Sequence, residues 1–285
     1  MVRIDAERCT RCGSCVKVCH EHCMTLAESA PVIDYRACST CCQCVAICPQ
    51  RALSWEGVPP APFEPGLLPT VAQLQELLAQ RRTVRSFSAA PVDRAVIAEI
   101  VSWGASAPTH NFHLRCVAVD DPLVIAAFDR AAFRFSARVY RLVFRPRPVR
   151  WLASLCPPAV REEFFKALPK LQAVVRRGRG YDSLPPALVC VVGDRRTPLS
   201  LESAQYALYN MALVSQARGL GCRNLVGNQA IFNRSRELRA MLGLGRAESI
   251  FAIAGFGHPA VRFRNKVMGR AMSVRWAGIG EGGRT

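Results

Sequence analysis

Cys9-Thr-Arg-Cys12-Gly-Ser-Cys15-Val-Lys-Val-Cys19 returns further on as Cys38-Ser-Thr-Cys41-Cys-Gln-Cys44-Val-Ala-Ile-Cys48, followed by Pro49. Each copy reads C-x2-C-x2-C-x3-C, the run that wraps an iron–sulfur cube. Three thiolates on a tight turn take three irons of one cube, and the fourth cysteine leads away to the other. The two runs must therefore interlock: Cys9, Cys12, Cys15 and Cys48 for one 4Fe–4S cluster, Cys19, Cys38, Cys41 and Cys44 for the second. A zinc module pairs its cysteines without a third at the same step, and disulfide scaffolds belong to small secreted chains. Cys23 and Cys42 remain as spare thiols.

This front end resembles the bacterial two-cluster ferredoxins over about the first 57 residues. It departs from them at His20, where proline is usual after the fourth cysteine, and at Cys42, where glycine is common. Hydrogen bonds and burial tune cluster potentials, so His20 is either a tuning residue or a plain surface histidine.

At 285 residues there is room for the small module and one larger domain with its own core. The start lacks the apolar h-region of a signal peptide, and no run approaches the roughly 18 apolar residues that span a bilayer. Cube ligands must stay reduced, so a cytoplasmic protein is expected. The net charge of +17 is unevenly placed. Residues 1–60 hold six basic and six acidic residues, and the rest of the chain 32 basic against 15 acidic. Thirteen basic residues lie between Arg130 and Gly180, against Glu162 and Glu163 alone. Such a field attracts anionic substrates, acidic proteins or membrane surface. No helix-turn-helix or RNA-binding signature accompanies it, so no nucleic-acid partner is expected.

Proline-rich residues 58–70 read as a linker between a module over 1–57 and a domain over 71–285. In the second domain, Val71 to Arg82 has an apolar helical face of Val71, Leu74, Leu77 and Leu78, and Pro91 and Asp93 open another helix. Strands are expected at 115–119, 187–192, 222–226 and 249–256. Helices are expected at 122–144, 160–176, 202–218 and 233–242. The alternation gives an α+β chain: a ferredoxin-like module, then an α/β sandwich with a mixed central sheet.

Four motifs occur in order. Arg81-Arg82-Thr83-Val84-Arg85-Ser86-Phe87 offers guanidinium forks that match phosphate oxygens. Ala107-Pro108-Thr109-His110-Asn111, Gly219-Leu220-Gly221-Cys222-Arg223-Asn224-Leu225-Val226-Gly227 and Phe256-Gly257-His258-Pro259 follow, with Arg270 beyond. Together they resemble the nitroreductase superfamily of FMN enzymes over residues 71–276. The resemblance implies that Arg81, Arg82, Thr83, Arg85 and Arg270 hold the FMN phosphate and ribityl chain. It implies that Pro108, Thr109, Asn111, Asn224, Leu225, Val226 and Gly227 line the flavin ring, with a backbone N–H near Val226 facing N5. It also implies a homodimer with FMN at the interface.

Where the family often reads N-x-Q-P-W, this chain has Asn111-Phe-His113-Leu-Arg115. His113 is then a candidate proton donor, since histidine titrates near neutrality, or a structural replacement for the glutamine. The basic 130–180 segment falls in the family's lid region. It reads as a channel wall for an anionic or aromatic acidic substrate, as a solvated helix packed on the dimer, or as a membrane-surface element. No G-x-G-x-x-G follows a strand, so a nicotinamide site is not expected. The expectation is an oxidoreductase fed by an external low-potential donor such as ferredoxin or flavodoxin. Electrons would pass through two 4Fe–4S clusters to FMN and on to a nitro group, an activated C=C or a carbon–halogen bond. The alternative is an electron-transfer subunit without its own organic substrate.

Overall fold

A computed structural model describes residues 1–108, 113–267 and 272–276 of the chain. The N-terminal module runs β1 (Val2–Ile4), α1 (Ser14–Val18), β2 (Met24–Leu26), β3 (Pro31–Ile33), α2 (Gln43–Ile47) and β4 (Leu53–Trp55). β1 pairs antiparallel with β4, and β2 with β3. The cysteine repeat is also a backbone repeat, stepping from Cys9 to Cys38. Left-handed φ recurs at Arg11 and Thr40, at Gly13 and Cys42, and at His22 and Arg51. A turn that aims three sulfurs inward needs this conformation, which glycine adopts without strain. Cys42, at φ 59°, stands where Gly13 stands in the first copy. Val2, Cys15, Cys23, Met24, Ala52 and Leu53 form a small core between the two halves.

Residues 61–70 are all exposed. Thr70 then caps α3 (Val71–Gln80) in a reciprocal box, with Gln73 N–H donating to Thr70 Oγ1 at 3.3 Å and Thr70 N–H to Gln73 Oε1 at 2.8 Å. The apolar stripe of α3 is not used inside the chain. None of its residues is buried, and Val71 is 73% exposed.

The main sheet has strand order β5-β6-β8-β7, with β5 (Arg115–Val119), β6 (Ala187–Asp194), β7 (Gly221–Asn224) and β8 (Glu248–Gly257) all antiparallel. Its parallel partner is the extended stretch after α3, where Val84 N–H donates to Cys222 O at 3.1 Å and Thr83 bridges Cys222. Gly221 permits this approach, since a Cβ there would lie 2.6 Å from Val84 Cγ2. Successive side chains of a strand point to opposite faces, and the central strands bury both. Val189, Val191, Ala252 and Ala254 face α4 (Arg94–Gly104) and α8 (Ser200–Ala217). Leu188, Cys190, Ile250 and Ile253 face α5 (Pro122–Val139), α9 (Gln229–Arg234) and α10 (Arg236–Met241).

The 122–144 helix is longer in pattern than in geometry. α5 passes into a π-helical turn over Tyr140–Phe144, and α6 (Arg147–Ser154) and α7 (Pro158–Arg177) follow. The helical run breaks at residues 145–146 and again at residues 155–157, and Pro148 and Pro158 occupy first turns of the helices that follow, where a missing N–H costs nothing. The expected helix over 233–242 is two, because Ser235 ends α9 and caps α10 through Leu238 N–H at 3.3 Å. Among the described residues, no helix is long and apolar enough to cross a membrane.

Candidate functional site

The eight repeat cysteines collect around two cavities. Cys9, Cys12, Cys15 and Cys48 line one, together with Arg11 and Gln50. Cys19, Cys38, Cys41 and Cys44 line the other, with Cys23 and Cys42 beside them. Backbone N–H groups point at the sulfurs, Ala52 to Cys48 Sγ at 3.3 Å and Thr40 to Cys38 Sγ at 3.4 Å. Such donors favour the thiolate form that a metal needs. Zn–S bonds of about 2.3 Å would draw four sulfurs onto one point. Among the described residues, no group of three or more His, Cys, Asp or Glu is gathered that way. Four repeat cysteines at each cavity match the four ligands that one cube takes. Cys23 Sγ lies 3.4 Å from Cys19 Sγ, in van der Waals reach of a ligand position.

The second cavity sits beside a crevice of about 660 Å³ between module and domain. His20, Cys41, Cys42 and Trp55 line it on one side, and Ala107, Pro108, Ser203 and Tyr206 on the other. The Cys41 turn therefore faces the end of α4 and the first turns of α8. Tyr206 and Tyr209 are neighbours on the exposed face of α8, and the Arg81 guanidinium carbon lies 5.7 Å from the Tyr209 ring centre.

Arg81 and Arg82 part company. Arg82 and Val84 line a separate cavity of about 810 Å³ with Arg262, Arg264 and Lys266. Arg81 lies instead by Tyr209 and close enough to Cys222 to act on its thiol, which burial pushes up to about 12. Arg81 Nε is buried with no hydrogen-bond partner. On the same edge, Arg223 stacks 4.7 Å from the Tyr181 ring centre and donates to Ser183 O at 3.0 Å. Asn228 Nδ2 donates to the Tyr181 hydroxyl. Burial, and next the positive charges of Arg85 and Arg177, push the Arg223 guanidinium below its ordinary range. Arg177 is itself paired with Asp182. This edge holds more cation than anion, and an orphaned buried donor with it. A phosphate monoester supplies what is missing.

Thr83 stands beside Cys222 on the same edge. Asn224 ends β7, Leu225 N–H bonds to Ile253 O at 2.9 Å, and a 3-10 turn runs over Val226–Asn228. A Cβ on Gly227 would meet nothing, so the turn opens onto free space. His113 lies elsewhere. It is exposed at the start of β5, and its carbonyl lies near Gly193 of β6. β6 and β8 separate it from β7. Thr109, Asn111 and Arg270 lie outside the described residues. Arg177, Arg223, Tyr181 and Tyr209 carry no motif, and only Arg223, inside the Gly-Leu-Gly turn, had a signal in the sequence.

The description "Nitroreductase family" matches residues 78–258, well over half of the chain. The chain belongs to the nitroreductase family. Ahead of that family domain, residues 1–49 match the description "4Fe-4S dicluster domain". A nitroreductase with bound FMN from Desulfitobacterium hafniense DCB-2 is 13% identical, with a TM-score of 0.51 over 70% of this chain and 97% of that one. An oxidised iodotyrosine deiodinase bound to FMN and 3-iodo-L-tyrosine is 20% identical, with a TM-score of 0.50 over 72% of this chain and 100% of that one. At these identities they establish the nitroreductase fold and nothing finer. No curated protein matches the chain.

Proposed function

We propose that this nitroreductase-family chain is an iron–sulfur flavoprotein oxidoreductase that takes single electrons from an external low-potential donor and reduces an electrophilic organic substrate. A nitro group, an activated C=C and a carbon–halogen bond are the substrate classes. When bound, two 4Fe–4S clusters supply one-electron steps and FMN supplies two-electron reduction at its ring. The observation that carries this reading is the crevice in which the Cys41 turn faces Pro108 and the tyrosine face of α8.

The chain's own residues divide the work. Cys9, Cys12, Cys15 and Cys48 hold one cluster, and Cys19, Cys38, Cys41 and Cys44 the other. Arg81, Thr83 and Arg85, with Arg223 behind them, bind the FMN phosphate, and Asn224 to Gly227 present backbone to the ring. His113 reaches a flavin on the β7 edge from a second copy, since β6 and β8 stand between the two edges in one chain, while Pro108 approaches the ring from the crevice. The uncovered stripe of α3 is a natural part of that contact. The requirement for reduced thiols places the protein in the cytoplasm.

The test is anaerobic purification with iron, sulfide and flavin quantified, then turnover with reduced ferredoxin after Cys12→Ser and Cys41→Ser. Unchanged rates would remove the clusters from the path. Reoxidation of the reduced protein by nitroaromatics or enones no faster than that of free FMN would favour the electron-transfer-subunit reading.

A further inference from the structure

The module's internal repeat provides a control on its surface charge. The cavity of Cys9, Cys12, Cys15 and Cys48 is lined by no residue beyond Leu53, and Cys12 is exposed. No residue of the second domain lines this outward cavity, Arg11 lines it, and further basic residues flank its cysteines in sequence: Arg8 in the first turn, Lys17 on α1, and Arg51 just past Cys48. All four are exposed, and among the described residues none pairs with a carboxylate. The copy that faces the second domain holds Ala37, Thr40 and Ala46 where the outward copy holds Arg8, Arg11 and Lys17, and Arg51, after Cys48 of the outward cavity, has His22, after Cys19 of the other cavity, as its counterpart. Glu7 is the one acid among residues 7–17. Fold and cysteine spacing are shared by the copies, so neither requires these charges. They distinguish the outward turn from the inward one.

We infer that Arg8, Arg11 and Arg51, around the exposed Cys12 turn, form the docking face for an acidic one-electron carrier protein. The inference rests on the functional reading above and names its partner's landing site. Arginines at a rim steer an acidic partner and set its encounter rate more than its final affinity. Each productive encounter oxidises the carrier by one electron and reduces this chain by one, with no proton or leaving group required.

The experiment uses the full-length protein, an acidic plant-type ferredoxin and a flavodoxin as probes, and the triple variant Arg8→Glu, Arg11→Glu, Arg51→Glu. Association and the rate of reduction are followed at about 50 mM and about 500 mM salt, where the screening length falls severalfold. The expected result is a loss of about tenfold or more in encounter rate for the variant at low salt, closing at high salt. Iron, sulfide and flavin content should match the wild type, and an Arg3→Glu control, on the exposed side of β1, should encounter the carrier as the wild type does. A triple variant that matches the wild type at low salt overturns the inference, as does an equal loss in Arg3→Glu. Absence of association between the wild type and either probe overturns it too. Wild-type protein without iron or flavin would instead sink the functional reading itself.

Discussion

Arg81 and Arg82 are adjacent in a motif that treats them alike, yet one is half-buried with a buried, unpaired Nε and the other lines a different cavity. Arg81→Ala should therefore strip flavin from the protein, with a drop of about tenfold or more in FMN affinity, the worth of one charge-assisted contact. Arg82→Ala should retain flavin. The ratio of flavin to protein absorbance after gel filtration decides, and equal losses in both would refute the assignment. Glu248 gives a pH prediction. It accepts from Arg115 at 2.7 and 2.9 Å and from Gly245 N–H at 2.7 Å, and Arg115 chiefly holds its carboxyl at about 2. A carboxyl depressed on folding stabilises above its unfolded value of 4.5, and that contribution is lost as pH falls toward 2. Glu248→Gln should cost about 1–2 kcal/mol at pH 7, after allowance for solvent around the half-exposed guanidinium. The gap to wild type should narrow below about pH 4 in urea titrations, the range in which a carboxyl of this kind protonates. The cysteine spacing was fully legible at this scale, because its geometry is local. Arg177, Tyr181 and Tyr209 were not, because only the tertiary fold brings them to the β7 edge.

Among the elements, β8 is the most constrained. Gly257 has no room for a side chain: a Cβ would lie 2.5 Å from Pro186 Cδ and 2.9 Å from the Phe87 ring. Proline rings cannot yield as a flexible side chain does, so Gly257→Ala should destabilise by about 1–3 kcal/mol. It should also loosen the Phe87–Pro259 bridge beside it. Urea unfolding reads the first effect, and stability at the wild-type level would refute it. Strand 187–192 could be read from its apolar run because burial on both faces leaves a continuous signal. Proline marks both breaks in the 122–177 stretch, since Pro146 and Pro157 cap, and Pro148 and Pro158 open, the helices that follow. The joint at Ser235 was invisible to periodicity, because the apolar face continues across it while the backbone does not.

For the whole molecule, the exposed stripe of α3 and the placement of His113 on the far sheet edge point the same way. Leu74→Glu with Leu78→Glu should convert a dimer to monomers in sedimentation and lower flavin retention at the same time. A dimer that survives both charges would place the contact elsewhere. Periodicity identified the apolar stripe of α3, and the structure leaves it without a buried residue within the chain.

The exposed run over residues 61–70 adds one more consequence. It leashes the N-terminal unit to its neighbour, so the mating of the two across the 660 Å³ crevice is an intramolecular event. A short tether confers an effective molarity on the order of millimolar. A surface too weak to hold separate polypeptides together is sufficient here, and a single proteolytic nick in the leash would let the two halves drift apart.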